Sequence, residues 1–168
     1  MGLASPCLLF AASLSTLLSG GCRTAAPTRT ASPTQNIVFV CEHGNVKSLI
    51  AASWFNQIAA ARALPFRAES RGLNPEASVP GPIVAALQAE GVEVSTFKPR
   101  ALSHEDMAQA SRVVAIGVDL ASFAGDARAP IQLWSDVPPA SVDYASSRAA
   151  LLRHIELLLQ ELRSSQKD

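Results

Sequence analysis

The chain has 168 residues, 14 basic against 14 acidic side chains, 48% hydrophobic residues and 17% charged ones. That length suits one domain with a substantial core, and a second full domain does not fit. Zero net charge excludes a global pull towards nucleic acid or anionic lipid, and the apolar fraction excludes disorder throughout. Three cysteines cannot build a disulfide scaffold of this size. Function must come from a local site.

Residues 8–18 (LLFAASLSTLL) form an apolar run too short to cross a bilayer as a helix. The run ends in Ser19, Gly20 and Gly21 directly before Cys22, small residues that read as a signal-peptide cleavage site, so residues 1–21 are assigned to a signal peptide. The placement of Cys22 resembles the lipobox of bacterial lipoproteins, which implies acylation of Cys22 and a lipid anchor in the membrane. Two features depart from that pattern: no Lys or Arg precedes the run, and Leu18 sits one place further from the cysteine than usual. The alternative is a cytoplasmic protein whose true start lies downstream. Residues 22–35, rich in Pro, Thr, Ser and Ala, read as a flexible tether, leaving 36–168 as the folded domain.

From residue 36 the pattern changes. Residues 37–40 (IVFV) are a continuous apolar, mostly β-branched run, the signature of a strand buried on both faces. A polar loop follows (Cys41, Glu42, His43, Gly44, Asn45, Val46, Lys47, Ser48), and residues 49–59 carry apolar side chains at helical spacing. A loop between a strand and a helix directs backbone N–H groups and a helix N-terminus at one spot, which is how proteins hold phosphate and other oxyanions.

The remainder alternates in the same way. Residues 66–70 predict a second strand, 82–90 a helix stopped by Gly91, and 103–110 a short helix opened by Ser103 three places before Asp106. Residues 112–116 (RVVAI) and 131–134 (IQLW) predict two more strands. Leu151, Leu152, Ile155, Leu158, Leu159 and Leu162 share one stripe of a final core-facing helix. Such alternation implies an α/β architecture with a parallel sheet covered on both faces.

Cys41 followed after five residues by Lys47 and Ser48 resembles the Cys-x5-Arg-Ser signature of low-molecular-weight protein tyrosine phosphatases and their arsenate reductase relatives. Residues 69–75 (ESRGLNP) resemble the family's stretch after its second strand, residues 91–106 its middle, and Asp136 with Pro138 and Pro139 its general-acid loop. The likeness spans about residues 36–162. It implies a three-layer sandwich, a four-stranded parallel sheet flanked by helices, and it implies catalysis without a cofactor.

The chemistry follows from the residue types. At a strand-to-helix turn, aligned peptide dipoles and the Lys47 ammonium both favour negative charge on the Cys41 sulfur. A thiolate is the nucleophile needed to form a phosphocysteine, and the N–H array of the loop from Glu42 to Val46 would hold the equatorial oxygens as charge spreads over them. The resemblance gives Ser48 the role of hydrogen-bond donor to the sulfur and Asp136 that of acid and base on the leaving oxygen and the attacking water. In the family's usual pattern the aspartate directly precedes proline; here Val137 intervenes. Lys47 stands where the family has arginine, whose planar fork grips two oxygens at once. One charge-assisted hydrogen bond is worth about 1.5–3 kcal/mol, so its loss slows the reaction by roughly ten- to a hundredfold.

His43 reads chiefly as a support for the loop, and Gly44 and Asn45 as residues that tolerate left-handed backbone. Arg71 reads as a surface residue, with orientation of the loop as the alternative. Trp54 and Trp134 read as core, and His104 and His154 as solvated helix residues. No spacing of His and Cys suggests a metal site. The expected function is a phosphomonoester phosphatase, extending to protein phosphotyrosine, although only Tyr144 stands near the acid loop where the family commonly carries a tyrosine pair. An arsenate reductase using an external small thiol is the first alternative, since no cysteine follows Cys41. A non-catalytic oxyanion-binding lipoprotein is the second. The expected partners are a small or protein phosphomonoester and a membrane reached through lipid on Cys22, not nucleic acid.

Overall fold

Four runs of β-branched and apolar residues form one sheet: β1 Gln35–Cys41, β2 Phe66–Gly72, β3 Arg112–Ile116 and β4 Ile131–Trp134. The spatial order is β2-β1-β3-β4, and every pairing is parallel. Parallel neighbours need crossovers, and these carry the helices α1 Lys47–Ala61, α2 Gly81–Ala89 and α3 His104–Gln109, with α4 Tyr144–Ser164 following β4. The computed structural model describes residues 34–165; the signal peptide expected over 1–21, Cys22 and the tether as far as residue 33 lie outside the described residues. Gln35, expected as the last tether residue, instead opens β1: it pairs with Phe66, and its N–H donates to the Pro65 carbonyl at 2.8 Å.

The period of two along β1 divides the core. Ile37, Phe39 and Cys41 belong to a large cluster with α1 and α4, whereas Val38 and Val40 belong to a smaller one with Met107 of α3, Val113 and Leu120. Phe39 centres the larger cluster, its ring 5.7 Å from that of Phe55 and 5.5 Å from Trp134. The stripe of α4 meets the same cluster through Leu151, Ile155, Leu158, Leu159 and Leu162, while Leu152 is only half-buried. Each such side chain stabilises by about 1.5–3 kcal/mol when fully buried.

Cover on the smaller face is incomplete. Because α3 has only 6 residues, β4 is left with Ile131 and Leu133 facing solvent, Leu133 at 61% exposure. The expectation of a sheet covered on both faces therefore fails at that edge. The other edge is protected: the Asn56 amide accepts from the Ala68 N–H at 2.7 Å and donates to the Ala68 carbonyl at 2.9 Å, occupying the outer side of β2. The strands all point one way, so the loops after β1, β2, β3 and β4 meet at a single end of the sheet, where open α/β folds place their sites.

Candidate active site

Cys41 is the last residue of β1, paired with Gly72, and α1 begins at Lys47. The intervening loop is held by its carbonyls. Those of Cys41, Glu42 and His43 accept from the N–H groups of Leu73 at 3.2 Å, Asn74 at 2.8 Å and Glu76 at 3.3 Å, and that of Gly44 lies 3.0 Å from the Ser70 hydroxyl. In a planar trans peptide the following N–H points away from the carbonyl, so anchoring these oxygens on the β2 side turns the N–H groups of Glu42, His43, Gly44 and Asn45 the other way. Among the described residues, none of the N–H groups from Glu42 through Leu49 donates a hydrogen bond, and no side chain caps α1 at Val46. Two glycines permit this packing. Gly44 has φ +67°, and a Cβ on it would stand 2.7 Å from the Gly72 nitrogen; a Cβ on Gly72 would stand 2.7 Å from the Gly44 nitrogen.

The sulfur of Cys41 lies 2.9 Å from the Ser48 hydroxyl, which lies 2.8 Å from the hydroxyl of Ser70. Each hydroxyl has one proton. Ser70 donating to Ser48, and Ser48 to the sulfur, directs both towards a thiolate. Cys41 is buried, yet it lines a cavity of about 160 Å³ together with Glu42, His43, Asn45, Val46, Lys47, Pro139, Ala140 and Ser141. Two larger cavities, of about 460 and 760 Å³, do not reach it. The Lys47 ammonium sits 2.8 Å from the point a Cβ of Gly117 would occupy, and it makes no ion pair or hydrogen bond among the described residues. A half-buried cation without a counter-charge, beside a run of free amides, is an arrangement ready for an oxyanion.

The loop side chains are clamped by the segment after β2. Asn74 donates to Glu42 at 2.6 Å, the His43 Nδ1–H donates to the Asn74 carbonyl at 3.2 Å, and Asn45 donates to Glu76 at 2.6 Å and to the Ser78 carbonyl at 2.8 Å. His43 thus acts as the expected support. Its Nε2 faces Glu76 at 3.8 Å.

Three expectations are corrected. Arg71 is buried rather than on the surface: its Nε and Nη2 donate to Asp106 at 3.0 and 2.8 Å, and Nη2 also meets Glu69. Burial pushes the Asp106 carboxyl up, but hydrogen bonds from Arg71 and Ser103 outweigh it and hold the group below the usual carboxylate range. His154 is not solvated; its ring stacks on Trp134 at 4.7 Å and its Nε2 lies 2.7 Å from Asp136. That contact carries Asp136 away from the expected acid position. Its side chain is 62% exposed, it is absent from the lining of the cavity at Cys41, and the hydrogen bond from His154 lowers its carboxyl below the ordinary range. Val137, next in sequence, is the residue turned inward.

The other residues are placed as follows. Trp134 is core as expected; Trp54 is half-buried beneath the Arg148 guanidinium, 4.4 Å from the ring centre. Tyr144 does not line the cavity, and its hydroxyl donates to Glu90 at 2.9 Å. His104 is exposed and bonded to Asp126. Sequence reasoning missed Ser70, Asn74, Glu76 and Gly117 as parts of the site. All four lie just at or beyond the carboxyl ends of parallel strands, and that position was the available signal.

The family model for low molecular weight phosphotyrosine protein phosphatase matches residues 36–126. Among solved structures, YfkJ from Bacillus subtilis superposes with a TM-score of 0.70 at 20% identity, over 80% of this chain and 98% of its own. The Bacillus subtilis YwlE arginine phosphatase, in a form with a phosphorylated active-site serine, does so with a TM-score of 0.70 at 22% identity, over 79% and 99%. A thioredoxin-dependent arsenate reductase from Corynebacterium glutamicum gives 0.63 at 19% identity, over 80% of this chain and 65% of its own. At these identities the likeness is one of fold. No curated protein matches the sequence.

Proposed function

The chain belongs to the low molecular weight phosphotyrosine protein phosphatase family, and from that premise we propose that it is a cysteine-dependent phosphatase acting on small phosphomonoesters through a phosphocysteine. The observation that carries this reading is the ring of free N–H groups from Glu42 through Leu49, closed by the unpaired Lys47 ammonium, around the cavity that Cys41 lines. In the first step the Cys41 thiolate attacks phosphorus, and the amides and Lys47 hold the equatorial oxygens as charge spreads over them. Ser48 steadies the sulfur as it departs in the second step, when water attacks the phosphocysteine. The wall opposite the loop is Pro139, Ala140 and Ser141, without an aromatic side chain to clasp a phosphotyrosine ring. This supports small substrates over phosphotyrosyl proteins.

Cys41→Ser is expected to abolish turnover of p-nitrophenyl phosphate, at least a thousandfold below the parent, while binding of inorganic phosphate by calorimetry persists. Parent-like turnover in that variant removes the nucleophile from the account. Arsenate reduction is the competing reading. Cys41 is the free cysteine among the described residues, so that reaction would draw electrons from an external thiol, and a thiol-dependent arsenate assay on the same preparation separates the two. Phosphate binding with inertness in both assays favours an oxyanion-binding role. Export as a lipoprotein anchored through Cys22 is part of the same proposal; the mass of the mature protein tests it.

A further inference from the structure

We propose that hydrolysis at Cys41 proceeds without a protein acid on the leaving group, so that the substrates are phosphoryl groups carried on acidic leaving groups, acyl phosphates and esters of acidic phenols, rather than alkyl phosphate esters. This rests on the phosphatase reading above and deepens it. The starting point is a pair of adjacent residues after β4 that face opposite ways. Val137 is 6% exposed and packs in the same apolar cluster as Cys41. Asp136 faces outward, with its Oδ1 2.7 Å from Nε2 of His154. That imidazole is fixed in turn by Trp134, with ring planes 16° apart. The carboxylate is thus held in an outward ion pair on α4, and a paired carboxylate has no proton to give.

No other group at the cavity takes over the task. Glu42 accepts from the Asn74 side chain, and the Nδ1–H of His43 is committed to the Asn74 carbonyl while its Nε2 faces Glu76. Ser141 offers a neutral hydroxyl, too weak an acid to protonate an ester oxygen.

The consequence lies in where electrons go. The thiolate lone pair forms the S–P bond as the P–O bond breaks, and both electrons of that bond leave on oxygen. With no proton arriving, the group departs as an anion. Water then attacks phosphorus, the S–P electrons return to sulfur, the water proton passes to solvent, and inorganic phosphate leaves. A carboxylate or a nitrophenolate carries the departing charge readily; an alkoxide does not.

The test is kcat/KM for benzoyl, p-nitrophenyl, phenyl and alkyl phosphates with the full chain. We expect a fall of about tenfold for each unit rise in leaving-group pKa. Val137→Asp, which sets a carboxyl on the inward side, is expected to raise turnover of phenyl phosphate relative to benzoyl phosphate; a folded variant without that gain counts against the proposal. Should the variant fail to fold, the parent series decides alone. A flat series overturns the proposal, and if it steepens in Asp136→Asn then Asp136 is the acid after all. Turnover of none of the esters, with inorganic phosphate still bound, overturns the phosphatase reading and this proposal with it.

Discussion

The ammonium of Lys47 rests where any side chain at Gly117 would stand, 2.8 Å from the built Cβ position. Gly117 ends β3 with φ +66°, a conformation that costs an L-residue roughly 1–2 kcal/mol. Gly117→Ala therefore has two separable effects. Backbone strain lowers stability whatever occupies position 47. Displacement of the ammonium removes a charge-assisted hydrogen bond from the bound oxyanion, about 1.5–3 kcal/mol, and so weakens inorganic phosphate binding by roughly ten- to a hundredfold. In a Lys47→Met background the stability loss should remain and the binding loss should vanish. A double-mutant cycle on phosphate affinity, read by calorimetry beside thermal unfolding, checks this. An equal loss of affinity in both backgrounds would mean that Gly117 shapes the loop and not the cation.

At the scale of elements, the buried guanidinium of Arg71 ties β2 to α3. It donates to Asp106, which also serves as N3 of the capping box opened by Ser103, and to the Ser70 carbonyl at 2.9 Å. Removing one partner of a buried pair costs about 3–5 kcal/mol, so Arg71→Met is expected to fall by that order in urea unfolding at pH 7. Ser70, next in the chain, belongs to the hydroxyl relay, so turnover should fall with stability. The pH dependence has a defined sign. The Asp106 carboxyl is held below its unfolded value, near 3.9. Its contribution is thus present above that pH and is lost as pH falls through the folded value. Asp106→Asn should be less stable than the parent at pH 7 and should converge with it in acid. A constant gap across the acid range would show that the carboxylate charge does nothing.

The same elements show what the sequence could and could not reveal. β3 and β4 fall on the residues their apolar runs mark, because Ser111, Gly117, Pro130 and Ser135 bound them on either side. The nucleophilic loop was legible for a similar reason: a strand, a glycine and a helix must leave amides free between them. The first turns of α4 were hidden, since Ala, Ser and Arg at 145–150 carry no stripe, although Asp143 accepts from the Ser146 N–H at 3.0 Å and caps the helix. Arg71 was misread because one of its partners, Asp106, lies 35 positions away. Asp136 was legible as a residue after β4. Which of Asp136 and Val137 turned inward depended on His154, 18 positions on, and on its stack with Trp134.

For the molecule as a whole, the site is a local deficit carried by a well-packed frame. The larger core cluster braces α1 through Leu49, Ile50, Ala51 and Phe55 on one side and α4 through Leu151, Ile155 and Leu158 on the other. The head of α1 keeps its N–H groups and the Lys47 charge without partners. An oxyanion that satisfies them binds the folded chain alone, since unfolding scatters the loop from the sheet end that orders it. Linkage then fixes the size of the effect: inorganic phosphate at about a hundred times its Kd adds about 2.7 kcal/mol to the unfolding free energy. Urea titrations should show the midpoint rising with phosphate while the slope stays constant, because the surface exposed on unfolding does not change. Cys41→Ser should keep this shift, and Lys47→Met should lose most of it. Chloride at matched ionic strength gives the baseline, as screening alone acts on every exposed charge alike. If chloride stabilises the parent as much as phosphate does, the free amides at the head of α1 hold no oxyanion, and the site described above has no ligand to act on.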